Sequence, residues 1–124
     1  MNFEAMTAYC QAKPGATASY PFDEETLVFK VYGRMFALTN VNRPASVTLK
    51  CDPEWSHVLR ETYAAIRPGY HMNKQHWNTL TLDGTLPEAE VRQLIDHSYD
   101  LVVRALKKAD RERLAASEAS AEGR

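Results

Sequence analysis

Thr26-Leu27-Val28-Phe29-Lys30-Val31-Tyr32, Gly33-Arg34, Met35-Phe36-Ala37-Leu38-Thr39 is a pair of β-branched and aromatic runs divided by a glycine-containing dipeptide. Such a pattern predicts an antiparallel hairpin with Gly33-Arg34 as its tight turn. Upstream, Tyr20-Pro21-Phe22 is a candidate edge strand, since Pro21 bars a central position. Before it, Asn2 can cap a helix that ends ahead of Pro14-Gly15, with Phe3, Met6, Thr7 and Cys10 on one face. Downstream, Ala45 to Cys51 alternates as a further strand. Asp52-Pro53-Glu54 then starts a helix with a capping carboxylate, Pro at the first position and an acid in the first turn.

That second helix is expected to bury Trp55, Val58, Leu59 and Ile66, with Tyr63 flanking, and to stop at Pro68-Gly69. His76 to Leu82 follows as a strand, with Trp77, Thr79 and Thr81 on one face and Asn78, Leu80 and Leu82 on the other. Thr85-Leu86-Pro87-Glu88 fits a capping box for a last helix striped by Val91, Leu94, Ile95, Ser98, Val102 and Leu106. The order α-β(3-4)-α-β(1-2)-α, with tight turns between strands, implies an α+β two-layer sandwich: an antiparallel sheet with helices on one face. One domain is expected over residues 1–114. Residues 115–124 offer little to bury and read as a frayed or disordered tail.

The chain has 124 residues, 44% apolar and 25% charged, enough for one core without staples. Its 15 Lys and Arg nearly cancel its 16 Asp and Glu, so no global field draws it to a polyanion or membrane. Residues 41–80 carry five basic and three acidic groups, and residues 81–124 carry seven basic and nine acidic groups. Cys10 and Cys51 show no metal-ligand spacing and read as buried free thiols. The N-terminus lacks a signal-peptide pattern, and no apolar run approaches the roughly 20 residues of a membrane span, so a cytosolic protein is expected.

The stretch Gly69-Tyr70-His71-Met72-Asn73-Lys74-Gln75-His76-Trp77 concentrates a cation, two imidazoles, an amide and two large aromatics around a turn. A turn needs Gly and Asn but not His, Lys and Trp. Lys74 can meet a phosphate or carboxylate, or make a surface ion pair. His71 and His76 can contact a phosphate or hydrogen-bond backbone; their spacing and the lack of a loop carboxylate argue against a metal. Trp77 and Tyr70 can stack on a base, or Trp77 can be core and Tyr70 a rim residue. Asn73 is a candidate for positive φ. Lys30, Arg34 and Lys50 form either a solvated face or, with the loop, a basic surface for phosphates. No Gly-x-Ser-x-Gly elbow, glycine-rich phosphate loop or helical His–Asp dyad is present, so neither catalytic residues nor a cofactor are expected.

Four segments carry a family resemblance: Val28 to Ala37, Leu49-Lys50-Cys51-Asp52-Pro53-Glu54, Pro68 to Trp77, and Leu94 to Val102 with its Ser98-Tyr99 pair. Together they resemble the MmcQ/YjbR-like family of small bacterial proteins. The resemblance implies a fold similar to secretion chaperones and frataxin-like (CyaY-like) proteins, and DNA binding through a double-wing arrangement. Gln75 stands where similar sequences often carry Arg. Three functional readings follow. The first is a DNA-binding module using Lys30, Arg34, Lys50, His71, Asn73, Lys74 and His76. The second is a protein-interaction or chaperone-like module that pairs through a sheet edge near Tyr20. The third is a small-molecule site where Lys74, His76 and Tyr99 converge.

Overall fold

The structure is a computed structural model that describes residues 1–42, 46–69 and 72–122. Its elements are α1 (Phe3–Gln11), β1 (Ala16–Ser19), β2 (Thr26–Val31), β3 (Arg34–Asn40), β4 (Ser46–Lys50), α2 (Pro53–Thr62), β5 (Ile66–Pro68), β6 (Trp77–Thr81), α3 (Glu88–Arg104) and α4 (Lys108–Glu122). Six strands form one antiparallel sheet in the order β1-β2-β3-β4-β6-β5. Residues from all four helices join one core on one face of this sheet: Met6 and Cys10 of α1, Leu59 of α2, Val91, Leu94, Ile95 and Val102 of α3, and Leu114 of α4. They meet Phe29, Val31, Ala37, Leu49 and Leu80 of the strands. This is the α+β two-layer arrangement expected from the hydrophobic periodicity.

The caps explain where α1 and α2 begin. Asn2 Oδ1 accepts from the Ala5 amide at 2.8 Å, and Asp52 Oδ1 accepts from the Glu54 and Trp55 amides at 2.9 and 3.3 Å. At several boundaries local chemistry gave way to tertiary pairing. The second helix does not run to Pro68 but ends at Thr62. Ile66–Pro68 is instead an edge strand with Ile66 opposite Leu80. Pro68 disfavours helical backbone at Arg67, and an edge strand tolerates its missing N–H. Val58, expected inside, is 56% exposed, because α2 turns Ser56 and Leu59 to the core.

The first hairpin turn is Tyr32-Gly33, one residue earlier than expected, with φ of 47° and 78°. Positive φ at both central positions is the type I′ turn, whose twist matches that of right-twisted strands. Tyr32 adopts it so that Val31 closes against Arg34 and stays in the core. The edge strand before the hairpin is Ala16–Ser19, and Tyr20-Pro21-Phe22 lies beyond it. The capping box of the third helix does not form. Thr85 folds back on Asp83 Oδ1 through both its amide (3.0 Å) and its hydroxyl (2.6 Å), and Pro87 precedes Glu88 without a side-chain cap. Past Leu114, where a frayed tail is expected, the backbone continues as helix to Glu122. The Ala and Glu content that gives nothing to bury also favours helix.

Candidate nucleic-acid interface

Cross-strand register sorts the sheet into two faces. The row on the face away from the helical core runs Ser19, Val28, Leu38, Thr48, Thr79, Arg67, with Val28 itself fully buried; beside it lie Thr17, Lys30 and Met35, and then Lys50 opposite Trp77. The six strands carry four basic residues, Lys30, Arg34, Lys50 and Arg67, and no acidic residue. The near-neutral chain has therefore placed every carboxylate on helices and connections. Among the described residues, no ion pair engages any of these four cations.

β3 and β4 do not stay zipped. Their ladder holds Ala37↔Leu49 and Leu38↔Thr48, and a regular continuation would set Phe36 against Lys50. The Ser98 hydroxyl occupies that place instead. It accepts from the Lys50 amide at 2.9 Å and donates to the Phe36 carbonyl at 2.6 Å. On its other side β3 is irregular as well. Phe29 pairs with Ala37 but Lys30 with Met35, so Phe36 is an extra residue, a bulge that bends the strand. Phe36 is fixed in this position by rings of Phe29 and Tyr99, the latter edge-on at 5.4 Å. Bulge and inserted hydroxyl together part the strands. The resulting cleft, of about 180 Å³, is lined by Arg34, Met35, Lys50, Trp77, Val102 and Ala105. Three of the residues singled out in the sequence, Arg34, Lys50 and Trp77, thus share one wall system, and Lys30 pairs with its Met35.

The loop after β5 is pinned through its backbone. Gly69 N donates to Trp77 O at 2.8 Å, and a Cβ on Gly69 would lie 2.9 Å from Trp77 Cβ, so only glycine fits. Asn73 works through its side chain and not through positive φ: its Oδ1 accepts from Gln75 N, and its carbonyl accepts from the His76 and Trp77 amides. Cys51 N donates to His76 O at 2.8 Å. Arg60 closes the arrangement, donating to the carbonyls of Lys74 and Trp77 and, at 2.7 Å, to Asn78 Oδ1. These acceptors are neutral, so the guanidinium charge remains under the loop. The side chains of Asn73, Lys74, Gln75 and His76 stay exposed. Tyr70 and His71 lie outside the described residues.

Tyr99 does not approach this loop. It is buried, and its hydroxyl donates to the Pro14 carbonyl beside α1. Lys74, His76 and Tyr99 therefore do not converge. Sequence reasoning missed Arg60, whose signal was a charge one turn beyond Ser56 on the inner side of α2. It also missed Arg104, Lys107 and Lys108, exposed within three residues of Ala105 and hidden in a segment of net negative charge.

Elsewhere the titratable groups are structural. Burial raises the Cys10 thiol to about 12 and raises Cys51 too, and both are free. His97 is held below its usual range, first by burial, and its Nε2 accepts from the Asp52 amide at 3.1 Å. A larger cleft of about 530 Å³ lies at the other end of β6, lined by residues including Tyr63, Arg67, Thr81 and Asp83. It has the Asp83 carboxylate in its wall, a poor setting for a polyanion. Among the described residues, no group of three His, Cys, Asp or Glu gathers to hold a metal, and no helix is long and apolar enough to cross a membrane.

An open antiparallel sheet, helices confined to one side and a cationic, partly unzipped outer face define the class of protein. Residues 11–101 match the YjbR family model, and the chain belongs to that family. It is 40% identical over 116 residues to the uncharacterised protein YjbR of Escherichia coli K12, covering 92% of this chain and 98% of that one. The crystal structure of Deinococcus radiodurans protein DR2400 superposes with a TM-score of 0.85 at 42% identity, covering 92% of this chain and 88% of that one. A crystal structure of a Pseudomonas syringae protein gives 0.71 at 29% identity, covering 82% and 99%.

Proposed function

We propose that this chain is a non-catalytic binding module that holds nucleic acid, DNA in the first instance, against the outer face of its sheet. One observation carries the reading: the strands bear four cations and no carboxylate in a chain whose overall charge is near zero. The four cations are what an even spread of the 15 basic residues would place there; the signal is that none of the 16 acidic residues joins them. Lys30 and Lys50 supply phosphate contacts from the outer face and Arg34 from the hairpin end, where it pairs with Val31, and Lys74 and His76 extend them from the exposed loop. Arg34 offers a planar fork and the lysines point charges. Such contacts fix position without reading sequence.

The test is retardation of a duplex at low salt. Binding should fade as salt rises, with a log–log slope of about −2 to −4 for two to four neutralised phosphates. Lys30→Glu with Lys50→Glu should abolish it. No retardation of either duplex or single strand at about 100 μM protein in about 50 mM salt, where non-specific binding is normally detectable, removes the proposal.

A second reading rests on the β1 edge. Beyond that short exposed strand, Tyr20 and Phe22 are 49% and 64% exposed. Edges of this kind accept a partner strand. This reading expects a stable dimer or a co-purifying protein that Phe22→Asp disperses.

A further inference from the structure

We infer that the gap between β3 and β4 receives the base of one unpaired nucleotide, so that the module prefers single strands over duplex. The inference rests on the nucleic-acid reading above and sharpens it. It begins with the two-sided chemistry of the cleft. Arg34 and Lys50 are cationic, whereas Met35, Trp77, Val102 and Ala105 present apolar and aromatic surface. A ligand that satisfies both is planar and apolar at one end and anionic at the other, which describes a nucleotide unit. Size narrows it further. Whole cofactors and drug-sized ligands occupy pockets of about 300 Å³ or more. At about 180 Å³ this cleft takes a single group, not a free dinucleotide or a cofactor.

Electrostatics then orients that group. Ala105 is the C-cap of α3, where the helix dipole is negative. A phosphate driven inward would meet those carbonyl ends, so the phosphate belongs at the rim with Arg34 and Lys50 and the base inside. Exposed Arg104, Lys107 and Lys108 follow the same helix end and offer cations for neighbouring phosphates. A paired base cannot enter, because its faces and edge are already engaged in the duplex. Aromatic platforms in a basic groove are the recurring means of holding single strands. The opening does not have to be created on binding: Ser98, itself fully buried, bridges Phe36 O and Lys50 N and keeps the strands apart in the free protein.

The experiment is fluorescence anisotropy at low salt with four labelled probes of equal length, roughly 12 nucleotides. They are oligothymidylate, oligouridylate, an abasic strand and a duplex. The abasic strand keeps the phosphates and removes the bases. A pyrimidine strand should bind about tenfold tighter than the abasic strand and the duplex, in line with one stacked base. The two sugars tell DNA from RNA, and a base-dependent gain with either supports the inference. Ala105→Trp, an exposed cap position, should fill the cleft and erase that gain while abasic and duplex binding persist. Trp77→Leu should do the same and remove the base-dependent quenching of indole emission. Equal affinity for all four probes overturns the inference and leaves the phosphate-binding proposal standing. No binding of any probe overturns both. A gain that survives Ala105→Trp in a folded variant places the base elsewhere and also overturns it.

Discussion

Lys13 and Lys50 are both lysines beside an aromatic ring, and the fold treats them in opposite ways. Lys13 is 18% exposed, pairs with Asp96 at 2.8 Å, and lies 4.9 Å from the Tyr99 ring centre and 5.8 Å from that of Tyr9. Tyr9 donates to the same carboxylate at 2.7 Å, and Arg92 covers the other ring contact at 5.5 Å. Asp96 Oδ1 thus answers both Lys13 and Tyr9, and tethers α1 and the nearby Lys13 to α3. Lys50 instead borders a cleft with a second cation, an indole and no carboxylate among the described residues. Charge that is neutralised in place serves stability. Charge left without a counterion beside empty volume costs self-repulsion and is useful only when something anionic arrives.

The comparison breaks most directly at Ser98. Ser98→Ala removes the hydroxyl that answers both Phe36 O and Lys50 N, leaving a donor and an acceptor buried under α3. The expected loss is about 1–3 kcal/mol, read from urea unfolding. If β3 and β4 instead close and bond directly, stability will fall by less than about 0.5 kcal/mol, and the base-dependent affinity will fall with the cleft. Either result shows whether the opening is held by this one hydroxyl.

Asp96→Ala tests the caged side. It strands Lys13 and removes the acceptor of Tyr9, for an expected cost of about 1–2 kcal/mol; the partial exposure of the pair keeps it below a fully buried ion pair. The Tyr9 phenol, raised to about 12 by burial and then by its bond and charge interaction with Asp96, should titrate earlier in a spectrophotometric titration. Nucleic-acid affinity should not change, because neither Asp96 nor Lys13 lines the cleft.

His97 and His76 repeat the contrast with imidazoles. His97 stacks edge-on against Trp55 at 4.6 Å and accepts from the Asp52 amide, so it must stay neutral in the folded chain. Its lowered value reflects burial first and Arg104 as well, against opposing effects of Asp52 and Asp100. The unfolded chain takes up the proton near pH 6.5. The contribution is therefore complete above about pH 6.5 and declines as the pH falls from there toward the lower folded value. His97→Gln keeps an acceptor and cannot titrate, so the wild-type minus variant stability should slope downward with acid below about pH 6.5. A flat difference would show that burial does not lower His97 in the folded chain relative to the unfolded one. His76, exposed on the loop, belongs to the binding side and should affect affinity instead.

What could be read in advance follows from the range of the forces involved. The period-two alternation placed Lys30, Lys50 and Trp77 on strands, and the helical stripes placed Val91 to Leu106 in the core, because burial imposes both patterns locally. The three-residue β5 left no such pattern, since only its pairing with β6 makes it a strand. Ser98 was visible as a hydroxyl on an apolar stripe, but nothing within α3 says that it reaches two strands away in sequence. Lys30, Arg34 and Lys50 could be suspected of sharing a face. That Arg34 and Lys50 flank an opening required knowing that the sheet comes apart between them.

The smallest expected change in stability belongs to the largest expected change in binding. Arg34→Gln with Lys50→Gln removes two cations that hold no counterion among the described residues, so unfolding should shift by no more than about 0.5 kcal/mol. It could even rise slightly, because two like charges beside one cleft repel. Retardation of single-stranded DNA should weaken markedly, and the salt slope should flatten by about 1.4, two phosphates at about 0.7 each. Lys13→Gln is the matched control, and its pattern should be reversed: lower stability with an unchanged salt slope. If instead the double variant unfolds easily and its salt slope matches wild type, these two cations are structural like Lys13, and the cleft they flank is not a binding site.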